Sequence, residues 1–331
     1  MKRSLGYPGR RQALAGVAAA SATLFTGVAR AQSPAWPSRP VRVVTNFQAG
    51  GPLDILSRQL AGQLTARLGQ PFAVENVTGA AGEIGAAAVA RAQPDGYTML
   101  ISIDAPFTIA RAMRPQVSIG IGDFSWVALL GTSGLTVAAH PSAGVKTLAE
   151  LIAKGRDRPL NFSTAGPGSP GHLAAAVLAD AAGVKATPVH YRGNAPAVTA
   201  LVAGEVDAAI ISTAGLLPHI RSGKLQAIAT AARQRSPLLP ELPTVGELGY
   251  PALAQESLYV VGLPPRTPEA VSQRLSAALA EALADPALRE RMTSHDFTPG
   301  MRDGQQALAQ LRETLEHYTR IVKATGIKME S

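Results

Sequence analysis

The sequence predicts an α/β protein of two lobes, each a mainly parallel sheet flanked by helices. Three observations carry this expectation. A chain of 331 residues is too long for one simple core and suits two lobes of ordinary size. Short β-branched segments alternate with helix-length segments, the order from which parallel sheets are built. That alternation runs once, breaks, and restarts after Pro141.

In the first run, Val41–Phe47 is a strand that stops at Ala49-Gly50-Gly51, and Leu56, Leu60 and Leu64 mark the helix that follows. Phe72–Glu75 is a short strand. Gly79–Gly85 leads into an Ala-rich helix to Ala92, Pro94-Asp95-Gly96 makes a turn, and Thr98–Ile103 is a third strand. The second run has a helix over Lys146–Lys154, a strand over Leu160–Ser163 and a helix from Pro170 to about Ala182. Thr187–Tyr191 is a strand, Pro196–Ala203 a helix, Val206–Ile211 a strand, Leu217–Arg221 a short helix and Ala227–Ala231 a strand. Val127–Ala139 and Leu258–Leu263 read as strands that cross between the lobes. Asp285-Pro286 separates two C-terminal helices, and the last carries an apolar stripe of Leu308, Leu311, Leu315, Tyr318 and Val322, read as core.

Composition narrows the function. Apolar residues make up 46% and charged residues 16%, so the chain can bury a core. There is no cysteine, which excludes disulfides, thiolate metal sites and thiol nucleophiles. The formal charge of +8 is concentrated at the start: Lys2, Arg3, Arg10, Arg11 and Arg30 leave +3 for the remainder. The other cations are interleaved with acids, the pattern of a solvated surface rather than a nucleic-acid groove. Residues 1–31 read as a cleaved export signal. A basic stretch precedes an apolar one from Ala13 to Val28, then Ala29-Arg30-Ala31 supplies small residues for cleavage. Arg10-Arg11 resembles a twin-arginine signal. No later segment has the length and apolarity of a membrane span. The expected location is the periplasm.

Three Gly-rich turns stand between a strand and a helix: Phe47–Asp54, Gly79–Gly85 and Ser163–Ser169. In a parallel sheet such turns fall at the carboxyl ends of strands, where open α/β sheets bind ligands. Glycine allows close approach, and a helix start offers unpaired N–H groups with partial positive charge. Together they form an anion site without a charged side chain. Each turn also serves simply to close a tight connection, and both readings stay open. Other motifs fail on spacing. No dinucleotide or P-loop fingerprint occurs. His140, His172, His190, His219, His295 and His317 form no H-x-x-x-H or H-E-x-x-H, so neither a metal nor a cofactor is expected. G-x-S-x-G is absent. His172, in the first turn of the helix after the third Gly turn, either touches ligand or caps and packs. Arg192, in Tyr191-Arg192-Gly193, is the best cation for a ligand carboxylate because its fork pairs bidentately; a salt bridge competes.

The chain resembles the Bug family of extracytoplasmic receptors of tripartite tricarboxylate transporters. The residues that carry the resemblance are Trp36-Pro37-Ser38-Arg39-Pro40-Val41-Arg42 with Ala49-Gly50-Gly51 and Asp54; Val74-Glu75-Asn76 with Gly79-Ala80, Gly82 and Pro94-Asp95-Gly96-Tyr97-Thr98; Asn161-Phe162 with Gly166, Gly168 and His172-Leu173; Tyr191-Arg192-Gly193 with Ala195-Pro196-Ala197; and Leu217-Pro218-His219-Ile220 through Gly223-Lys224-Leu225 to Leu242-Pro243-Thr244-Val245. The match is collinear along the chain after the leader. It implies a periplasmic-binding-protein (Venus flytrap) architecture that closes about a hinge, with lobe 1 formed by 32–135 and 257–331 and lobe 2 by 136–256. It implies a protein without catalytic activity that holds a small carboxylate and delivers it to membrane permease subunits; a monomer is expected. In the family the first and third Gly turns line the cleft, which here implicates Phe47, Gly50, Gly51 and Asp54 with Ser163, Thr164, Gly166, Gly168 and Ser169. His172, Arg192, Gly193 and Ser212 complete the candidate set.

The chain departs from the pattern. Many members carry an aspartate at the end of the strand where Ile211 stands here, before Ser212-Thr213. The segment before Asp123-Phe124 is unusual, and Leu258 stands where an aromatic is common. A carboxylate at 211 pairs with a ligand ammonium group and isoleucine does not, so the expected ligand has no ammonium and more apolar body than aspartate. Two other roles remain open. One is a ligand-dependent partner of a membrane sensor. The other is a soluble enzyme on the same fold, which needs a convergent acid, base or lysine; Lys146, Lys154, Lys185 and Lys224 all lie away from the Gly turns.

Overall fold

The computed structural model describes residues 36–327. The leader expected over 1–31, and the first residues assigned to the first lobe, lie outside the described residues. The first half contains β1 (Val41–Thr45), α1 (Pro52–Leu68), β2 (Phe72–Asn76), α2 (Glu83–Ala90), β3 (Thr98–Ile103) and α3 (Ile109–Met113). β1 lies between β2 and β3, and both pairs are parallel. The second half contains α4 (Leu148–Asp157), β5 (Leu160–Thr164), α5 (Pro170–Ala182), β6 (Ala186–His190), α6 (Asn194–Val202), β7 (Ala208–Ser212), α7 (Thr213–Arg221) and β8 (Gln226–Thr230). There β5 pairs in parallel with β6 and β7.

The halves share one strand. β4 (Ser125–Ala139) pairs up to Gly134 with β9 (Glu256–Leu263) and from Leu135 onward with β7 and β8. The strand order is β2-β1-β3-β9-β4-β7-β5-β6. The sheet is therefore mixed. The expected parallel pairing holds for β1–β3 and β5–β7, while every pair made by β4 is antiparallel, as is β3 with β9. The reason is connectivity: β4 takes the chain out to the second half, β9 brings it back beside β4, and adjacent outgoing and returning strands run in opposite senses. Among the described residues β9 pairs only with β3 and β4, so of the two β4 is the one that crosses as a strand.

Local chemistry sets the helix ends. α1 starts at Pro52, where a missing N–H costs nothing, and stops at Gly69 in the left-handed region, φ 72°. Thr147 with Glu150 caps α4 reciprocally. The C-terminal part adds α8 (Glu269–Ala284), α9 (Pro286–Thr293), β10 (Phe297–Asp303) and α10 (Gly304–Thr325). β10 had no sequence signal, because Pro299 and Gly300 interrupt it; the register with β4 shifts there, which is where a strand tolerates proline. Gly131 admits this crossing, since a Cβ would stand 2.3 Å from the Thr298 carbonyl oxygen.

Each half has helices on both faces. Leu56, Leu60 and Leu64 of α1 join Leu275, Leu279 and Leu283 of α8 against one side of the first half, and Ala307 and Leu311 of α10 cover the other beside Phe107, Phe124 and Trp126. In the second half Ala208 and Ile210 face α4 and α5, while Ala209 and Ile211 face α6 and α7. The stripe of α10 is core, as expected, and spans both halves: Leu311 packs on the first, Tyr318 and Val322 on the second.

Candidate functional site

Two connected chambers open between the halves, and their walls are the turns that follow β1, β5, β6 and β7. The turn after β1 is held from behind. Asp54 accepts hydrogen bonds from the Gly50 N–H (3.0 Å), Arg58 Nε (3.1 Å) and Asn76 Nδ2 (3.0 Å). Asn76 Nδ2 also donates to the Phe47 carbonyl at 3.0 Å. Burial pushes the Asp54 carboxyl up, but these donors and the Arg58 charge outweigh it and hold it below its ordinary value. Gly50 adopts φ 79°, and Gly51, the residue before α1, leaves the helix start without a side-chain cap.

The turn after β5 is braced by a histidine pair. Gly168 N–H donates to His172 Nδ1 (3.2 Å), and His172 N–H donates to Ser169 Oγ (3.3 Å), which caps α5. The His172 and His190 rings meet edge-on at 4.7 Å, and His190 Nδ1 shares a proton with Thr164 Oγ1 at 2.7 Å. Burial first, then the neighbouring His190, pushes His172 down to about 4, so the ring is neutral at pH 7 and Nδ1 is free to accept. Gly171 lets α5 approach β7, because a Cβ there would stand 2.1 Å from the Ile210 carbonyl oxygen.

The turns after β6 and β7 supply two more helix starts. α6 follows Gly193 (φ 118°) and α7 follows Ser212, and neither has a side-chain cap. The Ser212 hydroxyl is buried with no hydrogen-bond partner among the described residues, as is that of Ser163.

The inner chamber, of about 60 Å³, collects these starts. Its wall includes Gly51, Pro52 and Leu53 of α1, Ser169, Pro170 and Gly171 of α5, Gly193, Asn194 and Ala195 of α6, and Ser212 before α7. Phe47, Ile103, Leu135, Ile211 and Tyr259 supply the apolar sides. Among the described residues no Asp, Glu, Lys, Arg or His lines it. The positive ends of four helices thus converge on a space that contains no charged side chain. Each such end is worth ~0.3–1 kcal/mol to an anion, and up to ~2 when partly buried. The outer chamber, of about 520 Å³, shares Phe47, Gln48, Ala165 and Gly193 with the inner one and adds Gly79–Gly82, Gly166, Arg114 and Arg192.

The thirteen candidates divide accordingly. Phe47, Gly51, Ser169, Gly193 and Ser212 line the inner chamber, and Gly166 and Arg192 the outer. Gly50, Asp54, Ser163, Thr164, Gly168 and His172 line neither: they shape the turns from behind. Arg192 makes no ion pair among the described residues, whereas Arg114 pairs with Glu83. Ile211 does face the inner chamber. Leu258 does not, because alternation along β9 sends Ser257 and Tyr259 inward and Leu258 to the opposite face. Phe124 also lies elsewhere, edge-on to Phe107 at 5.3 Å and tilted against Trp126 at 5.1 Å. Reasoning from turns missed Ile103, Leu135 and Tyr259, which reach the chamber from strands distant in sequence. Asn194 was signalled, since it directly follows the Gly193 turn. Among the described residues no group of three or more His, Cys, Asp or Glu is placed to hold a metal, and no helix is long and apolar enough to cross a membrane.

Residues 56–327 match the family model described as tripartite tricarboxylate transporter family receptor. Solved structures resemble the fold over most of its length. R. palustris Rpa4515 with adipate is 29% identical and covers 88% of this chain and 99% of its own, with a TM-score of 0.85. MatC (Rpa3494) from Rhodopseudomonas palustris with bound malate is 30% identical over 87% of this chain and 100% of its own, TM-score 0.81. The periplasmic binding protein BugD is 30% identical over 89% of this chain and 100% of its own, TM-score 0.83.

Proposed function

The chain belongs to the tripartite tricarboxylate transporter receptor family, and we propose that it binds a small carboxylate between its halves, in the periplasm, and hands it unchanged to membrane permease subunits. The observation that carries this reading is the convergence of four helix starts, three without a side-chain cap, on an inner chamber devoid of charged side chains. Such a site desolvates an anion and repays it with fixed backbone dipoles. Ser212 Oγ, buried and without a partner among the described residues, is a further donor for the guest carboxylate. Ile103, Leu135 and Ile211 give the guest's body an apolar bed, and the outer chamber with Arg192 leaves room for its far end. Relatives with bound adipate and malate support the ligand class. The division of pairing at Gly134 and Leu135 supports lobes formed by 32–135 with 257–331 and by 136–256, closing about β4.

Thermal-shift screening of the purified chain with adipate, malate, aspartate and glutamate tests this. A ligand at ~100 times its dissociation constant adds ~2.7 kcal/mol. Acids without an ammonium group should raise the melting temperature and the two amino acids should not. Ser212→Asp should abolish the response. Micromolar aspartate binding, or an undiminished shift in Ser212→Asp, would contradict the reading.

A further inference from the structure

A third cavity, of about 210 Å³, lies where the two halves join, on the face of β9 opposite the inner chamber. Glu256 and Leu258 face it while Ser257 and Tyr259 face the inner chamber. Gln255 lines it and is 2% exposed, yet neither Nε2 nor Oε1 has a hydrogen-bond partner among the described residues. Its place is fixed through the backbone, by an N–H bond to the Ala231 carbonyl at 2.8 Å. A buried primary amide with both ends open costs about 1–3 kcal/mol per group unless something pairs with it.

Three guanidiniums stand around the same space: Arg233 from the segment after β8, Arg302 from β10 and Arg320 from α10. Among the described residues none of the three makes an ion pair. The two carboxylates in the wall are Glu256 and Glu313. Burial, reinforced by Asp296 and opposed by Arg233, raises the Glu256 carboxyl, which favours its neutral form. His317 in the same wall is pushed down chiefly by burial, and further by Arg320 and Arg233 against the opposing charge of Glu313.

We propose that this cavity binds a small protonated oxyanion of the inorganic phosphate type, between the Gln255 amide and the guanidiniums of Arg233, Arg302 and Arg320. Both halves of the ligand's chemistry are specified. The arginines and Gln255 Nε2 call for acceptor oxygens, and Gln255 Oε1 calls for a hydroxyl donor. Hydrogen phosphate has both; sulfate has the oxygens but no proton at neutral pH. Arg233 follows a strand of the second half while Arg302 belongs to the first, so an occupant ties the halves together across the β4 crossing.

Calorimetric titration of the wild-type chain with phosphate and with sulfate tests the site. Phosphate should bind, and sulfate should bind at least ~10-fold more weakly for lack of one hydrogen bond worth about 1.5 kcal/mol to a charged group. Arg233→Ala and Arg320→Ala, both on exposed side chains, should each weaken phosphate by a similar factor. Gln255→Leu should lose phosphate binding with an unchanged or higher melting temperature, because it removes two open polar atoms rather than a made bond. Ser212→Asp, in the inner chamber, should bind phosphate like the wild type. Absence of binding at millimolar phosphate, equal affinity for sulfate, indifference to both arginine variants, or loss in Ser212→Asp would overturn the proposal.

Discussion

His172 and Asp104 make opposite demands on pH, and separating them tests how the third turn is built. His172 is held neutral in the fold, pushed down to about 4 by burial and by His190. An unfolded chain takes up that proton near the ordinary value of 6.5. Between these limits the unfolded state binds more protons, so stability is lost as pH falls from 6.5 to 4. At about 1.36 kcal/mol per pH unit the loss is about 3 kcal/mol. Asp104 is fully buried, and burial raises its carboxyl to about 6 despite hydrogen bonds from Leu258 N–H (2.9 Å) and Thr108 Oγ1 (2.8 Å). There the folded state binds the extra proton, so stability present below 3.8 is lost as pH rises through 6, again by about 3 kcal/mol. The two contributions nearly cancel across pH 4 to 6 in the wild type. Urea unfolding followed by circular dichroism should reveal them singly. His172→Asn keeps an acceptor for Gly168 N–H without the titration, so relative to wild type it should gain about 3 kcal/mol at pH 4 over its value at pH 6.5. Asp104→Asn should diverge in the opposite sense, gaining about 3 kcal/mol at pH 6.5 over pH 4. Protonated His172 cannot accept from Gly168, and in the fold that proton is taken up only near pH 4, so His172-linked loss of carboxylate affinity should begin there and not at 6.5, in the wild type and Asp104→Asn but not in His172→Asn. Stability profiles of all three proteins that run parallel within about 1 kcal/mol would refute the assignment of either shift.

Further expectations concern the chamber walls. Ile211→Asp buries an unpaired carboxylate and should lower stability by about 3 kcal/mol, with partial recovery on adding aspartate, read by thermal melting. Asp54→Ala removes the acceptor shared by the Gly50 N–H, Asn76 and Arg58, leaving the Gly50 N–H open, and should cost about 1–3 kcal/mol while weakening carboxylate binding about tenfold, read by calorimetry. Gly171→Ala forces α5 away from the Ile210 carbonyl and should destabilise more than Gly62→Ala, whose Cβ meets nothing within 4 Å; chemical denaturation ranks the two.

The sequence alone determined the local elements and the places where chain direction turns. Leucine spacing, β-branched runs and Pro/Gly punctuation are short-range signals, so α1, α4, α5 and the parallel triplets were legible, as was the presence of glycine turns before helices. The departure at Ile211 was legible too, since one position's chemistry needs no neighbour to interpret. Tertiary structure alone decided which turns meet. Four helix starts share one chamber because β4 crosses between the sheet halves at Gly134 and β7, β5 and β6 stack beyond it. That proximity has no signature in periodicity. It also decided that Asp54 and His172 brace turns rather than face the cavity, and that Leu258 points away from it. β10 escaped notice because its pairing depends on a glycine in a strand more than a hundred and fifty residues earlier. The physical reason is common to all of these: hydrogen bonding within a helix or turn is decided by residues a few places apart, whereas a cavity is decided by strand pairings whose partners lie far along the chain.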